Sequence, residues 1–141
     1  MYSKLLQRRN KVSFEPLINL IPLLENGDPF ATVVREDAES GVTVLPMVEY
    51  TPLAKAIVRA FHAITDSSEE YSMDNLLEAY EHSPFAETMI TQVDVNELDA
   101  KSVLALLAAV LHMERWDNGT LYSFYHCGKL VDCLKRLKQC G

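Results

Sequence analysis

Residues 99–116 read DAKSVLALLAAVLHMERW, and this stretch decides the fold. Asp99 offers a carboxylate to the unpaired N–H groups of a helix start. Val103, Leu104, Leu106, Leu107, Ala108, Ala109, Val110 and Leu111 then leave the helix no polar side. A helix that is apolar all round needs neighbours on several faces, so it belongs at the centre of a core. The uncharged run Val103–Met113 is eleven residues long, whereas a bilayer span takes about 20. A central core helix over about residues 101–115 is expected, and no membrane segment.

The segments around it are written as its partners. Ser13 can cap a helix carrying Phe14, Leu17, Ile18, Leu20, Ile21 and Leu24, which Asn26-Gly27 stops. Pro22 lies inside this pattern, lacks an N–H and crowds Ile18, so a kink or break is expected there. Phe30, Thr32, Val33 and Val34, then the polar loop Arg35–Gly41, then Val42–Leu45, predict a small β-hairpin over about residues 30–45. Two strands alone are marginal, so the hairpin must lie on helices. Thr51-Pro52 opens a helix to about Ile64, with Leu53, Ala54, Ile57, Val58, Phe61 and Ile64 along one face. Ser72 caps another, with Met73, Leu76, Leu77 and Tyr80 inward; Ser83-Pro84 breaks it and begins a short helical turn to about Ile90. Beyond Asp117-Asn118-Gly119 come two helices, Thr120–Cys127 and Lys129 to about Gln139, joined at Gly128. The expected fold is mostly α, packed around the central helix, with one small hairpin.

Size and charge bound the rest. A chain of 141 residues, 48% hydrophobic and 23% charged, suits one ordinary domain over residues 13–141, preceded by a basic arm over 1–12. The arm has no apolar stretch after its charges, so it is not read as a secretory signal. Cys127, Cys133 and Cys140 are odd in number and wrongly spaced for a disulfide framework or a zinc site, which fits reduced thiols in the cytoplasm. The net charge of −7 argues against direct nucleic-acid binding. The charge is uneven: Asp66 to Asp99 holds ten acids and no Lys or Arg, while the arm and Lys129–Lys138 are basic.

The densest chemistry follows the central helix. His112, Glu114, Arg115 and Trp116 are the candidate ligand-binding residues. Arg115 can grip a carboxylate or phosphate with its fork, Trp116 can supply a flat wall, and His112 can titrate near neutral pH beside Glu114 or Asp117. The same residues also admit a purely structural reading, with Arg115 paired to an acid, Trp116 at the core edge and Gly119 permitting a turn. His62 reads as a surface or core histidine, and Tyr122, Phe124, Tyr125 and His126 as packing against the central helix. There is no glycine-rich phosphate loop, nucleophile elbow or His-Glu-x-x-His, so neither catalysis, a metal nor a cofactor is expected.

His112-x-Glu114-Arg115-Trp116-x-x-Gly119-x-Leu121, then Gly128-x-Leu130-x-x-x-Leu134-x-Arg136-Leu137, resembles an uncharacterised bacterial family, a domain of unknown function. Its tail reads Arg-x-Asp-Arg-Phe-x-x-Gly before a Gly…Leu-x-Arg-Leu pattern. The resemblance extends upstream through Leu45-Pro46-x-x-x-Tyr50 and covers most of residues 14–138. His112, Glu114 and Trp116 depart from the family's arginine, aspartate and phenylalanine, and a Trp-x-x-Trp-like stretch is missing near Tyr71. The resemblance implies a fold and supplies no activity.

Three functions follow as expectations. The first is an intracellular interaction or regulatory protein acting through an unknown protein partner. The second is a small-ligand or enzymatic site at His112, Glu114, Arg115 and Trp116. The third is an acidic nucleic-acid mimic using residues 66–99. Oligomeric state is left open.

Overall fold

The computed structural model describes residues 12–34 and 47–140. The chain runs α1 (Glu15–Ile18), α2 (Ile21–Glu25), β1 (Ala31–Val34), β2 (Met47–Tyr50), α3 (Pro52–Ser67), α4 (Met73–Glu81), a 3-10 turn (Ile90–Gln92), α5 (Ala100–Glu114), α6 (Thr120–His126) and α7 (Lys129–Cys140). It is mostly helical with one two-stranded antiparallel sheet, as expected. The proposed basic arm falls almost wholly outside the described residues.

α5 is the centre. Eight consecutive residues, Val103 to Val110, are buried, which is more than two full turns and leaves no wet side. Asp99 caps it by accepting the Ser102 N–H at 2.8 Å. α4, α6 and α7 pack against it, and α1 and α2 pack on α7. α3 packs on α1 and β2. α7 contributes Leu130, Cys133, Leu134 and Leu137, all fully buried, at the helical spacing expected of an inward stripe.

The first helical stretch is broken, as Pro22 requires. α1 ends at Ile18 and α2 restarts at Ile21, with Pro22 in its first turn, where a missing N–H leaves no gap in the hydrogen bonding. Ser13 works one residue away from the expected cap: its hydroxyl accepts the Glu15 N–H at 3.3 Å, while Phe14 holds the cap position. Thr51 and Ser72 cap α3 and α4 as read, accepting from Ala54 and Asn75. α3 continues to Ser67, one turn past Ile64.

Two boundaries differ from expectation. The hairpin's second strand is Met47–Tyr50, paired Ala31 to Tyr50 and Val34 to Met47. The expected strand Val42–Leu45 lies outside the described residues. After Ser83-Pro84 the chain makes turns rather than helix, and its helical turn comes later, at Ile90–Gln92.

Candidate functional site

The elbow between α5 and α6 is built around one carboxylate. Glu114 ends α5 and accepts the O–H of Tyr50 from β2. It also accepts the N–H of Gly119, at 3.1 and 3.0 Å to its two oxygens, and the N–H of Leu121 at 3.1 Å. The Tyr50 oxygen in turn accepts the Tyr122 N–H at 3.2 Å. These are the N–H groups that the start of α6 cannot satisfy by itself. Glu114 and Tyr50 together are thus the cap of α6, supplied from outside it. Burial and the neighbouring Glu114 carboxylate push the Tyr50 phenol well above the usual tyrosine range, so it stays protonated and donates.

A second tie runs beside it. The Asn118 side chain accepts the Val48 N–H at 2.7 Å and donates to the Val48 carbonyl at 3.1 Å, so it pairs with β2 as a neighbouring strand would. Gly119 follows with φ +100°, and a Cβ there would stand 3.1 Å from Val48 Cγ2. Only glycine meets both the backbone angle and the close approach at this position.

Beside the elbow lies a cavity of about 660 Å³, lined by Tyr50, Ala54, Lys55, Val58, Arg59, His62, Met73, Leu111, Glu114, Arg115 and Leu121. Its floor is apolar: Ala54 and Leu121 are buried, while Val58, Met73 and Leu111 are half-buried. Lys55, Arg59, His62 and Arg115 are exposed at its rim. Ligand pockets combine these properties at volumes of roughly 300–1,000 Å³. Among the described residues the one ion pair is Lys135–Glu25, at 2.8 Å and remote from the cavity in sequence.

The four sequence candidates separate. Glu114 and Arg115 line the cavity. His112 is exposed and outside that lining, and Trp116 is 83% exposed rather than placed at the core edge. Lys55 and Arg59 were not among the sequence candidates, and His62 was read as a surface or core residue. The available signal was the spacing of Lys55, Arg59 and His62 on the outer face of α3, at i, i+4 and i+7. Of the aromatic group on α6, Phe124 is fully buried as read, half-buried Tyr125 stacks on Phe30 with ring centroids 4.2 Å apart, and His126 is exposed. Among the described residues no cluster of His, Cys, Asp or Glu can hold a metal ion.

Fold and elbow define a small, mostly helical protein closed around one buried helix, with a polar joint tying β2 to the α5–α6 elbow. It belongs to a family of unknown function, DUF6508, whose model matches residues 9–140. No curated protein and no solved structure matches the chain. None of the described helices is long and apolar enough to cross a membrane.

Proposed function

We propose that this domain is a cytoplasmic binding protein for a small organic molecule, taken up in the cavity between α3 and the α5–α6 elbow. The carrying observation is that cavity, with its apolar floor of Ala54, Val58, Met73, Leu111 and Leu121 and its polar rim. Binding without chemical conversion is favoured by the state of Glu114, the one carboxylate in the lining. Its oxygens are taken by Tyr50, Gly119 and Leu121, which leaves it poorly placed to move a substrate proton. Cys127 and Cys140 are free and exposed, which suits a reducing compartment.

The test is a thermal-shift screen of a small-molecule library against the native protein and two filled-cavity variants, Val58→Trp and Met73→Trp. Compounds that raise the melting temperature of the native protein are expected to lose that effect in both variants, each of which must retain a cooperative melt. Hits that stabilise all three proteins equally would place binding elsewhere and end this reading.

A protein partner is the second reading, and Trp116 favours it, since a ring 83% exposed is an unusual surface residue. A photo-crosslinking amino acid at position 116 should then give a discrete adduct in host cells; its absence would remove the reading. The nucleic-acid mimic keeps only its original support, ten exposed carboxylates with no Lys or Arg between them.

A further inference from the structure

Resting on that reading of the cavity, we propose that its ligand has an apolar body and an anionic end, a carboxylate or phosphate, held by Lys55, Arg59 and Arg115. Lys55, Arg59 and His62 recur at i, i+4 and i+7, so they form one ladder along α3. Seven residues of helix make that ladder about 10 Å long. Arg115 enters from the end of α5, on a different wall.

The lining therefore holds three basic side chains, Lys55, Arg59 and Arg115, and one carboxylate. The carboxylate is already spent on three hydrogen-bond donors. None of Lys55, Arg59 and Arg115 has an ion-pair partner among the described residues. The chain as a whole carries 20 acids against 13 Lys and Arg, so a wall of this sign runs against the composition. The end of α5 would ordinarily repel an anion through its free carbonyls. Here the His112 and Met113 carbonyls accept N–H groups from Arg115, Trp116 and Asp117, which blunts that effect. Arginine forks bind carboxylate and phosphate in two-point fashion, and the apolar floor accounts for the rest of the ligand.

The experiment uses four probes with one tail: octyl phosphate, octanoate, octanol and octylammonium, each below its aggregation threshold, titrated calorimetrically at low salt. The two anions are expected to bind at least tenfold more tightly than octanol, and octylammonium more weakly still. Arg59→Met with Arg115→Met should weaken the anions by tenfold or more and octanol far less. Equal binding of octanol and octyl phosphate, or anion affinity unmoved in the double variant, would overturn the proposal. So would failure of both anions to bind.

Val58→Trp separates this failure from failure of the cavity reading. If it abolishes octanol and octyl phosphate binding alike while charge makes no difference, the cavity stands and the anionic end is wrong. If octyl phosphate binds Val58→Trp as it binds the native protein, the cavity itself is wrong. Vesicles of phosphatidylcholine with phosphatidic acid distinguish the source of the anion. Co-sedimentation with them, without binding of free octyl phosphate, would overturn the free-ligand proposal in favour of a membrane headgroup.

Discussion

Tyr50 and Glu114 stand 64 positions apart and meet in one hydrogen bond that joins β2, α5 and α6. Replacing Tyr50 by Phe removes a donor to a carboxylate and strands the Tyr122 N–H. A loss of about 2 kcal/mol is expected, read as a lower urea midpoint at unchanged slope. Combined with Glu114→Gln the losses should fall short of their sum, because both substitutions break the same network. The pH dependence has a definite sign. A phenol whose pKa is raised by folding contributes stability below about pH 10, its unfolded value, and loses it as pH rises through the folded value. Tyr50→Phe should therefore flatten the alkaline limb of the stability curve.

Asp99 works in the opposite direction. The hydroxyl and then the backbone N–H of Ser102 hold its carboxylate below the usual range. Its contribution is present above about pH 4 and is lost as pH falls through the folded value. Asp99→Asn should keep the cap and lose this acid dependence, whereas Asp99→Ala should cost about 1 kcal/mol at neutral pH. At this scale the cap of α5 was legible, because an acid at a helix start acts on its own neighbours. The role of Glu114 was not. A glutamate at the end of a helix reads the same whether its partner is a ligand or a tyrosine 64 residues away.

Among the elements, α5 was the most legible, since the unbroken apolar run Val103–Leu111 leaves no alternative to burial. Leu104→Ala and Leu106→Ala, both at fully buried positions, should each cost about 3–4 kcal/mol. Trp116→Ala should stay within about 0.5 kcal/mol, because its ring is exposed. The break at Pro22 was equally plain, being a covalent property of proline. The strand Met47–Tyr50 had little local signal. Val48 is its one β-branched residue, so tertiary ties hold it more than propensity does. Those ties are Asn118 on Val48 and Glu114 on Tyr50, neither of them visible locally. Asn118→Ala should leave α5 intact but expose the Val48 amide. Its hydrogen-exchange protection is expected to fall while that of Val103–Val110 holds.

Across the whole molecule, several residues of the C-terminal pattern hold the fold together, whereas His112 and Trp116 of that pattern are exposed. Leu130, Leu134 and Leu137 are fully buried, and Arg136 donates through Nε to the Leu98 carbonyl at 2.8 Å, tying α7 to the segment before α5. Glu114, Gly119 and Tyr50 make the elbow. The cavity beside them was invisible in the sequence, because Ala54–His62 and Leu111–Leu121 become neighbours only when the helices assemble. What could be seen was the outer face of α3, where Lys55, Arg59 and His62 share a spacing that ordinary solvation explains equally well. The fold turned a basic ladder into one wall of a cavity.

Amide chemical shifts on titration with octyl phosphate test that cavity most directly. The largest shifts are predicted at Ala54, Val58, Leu111, Arg115 and Leu121, saturating together with one affinity. Shifts confined to α7 or to the acidic segment 66–99, or no saturable shift at the cavity wall, would contradict it.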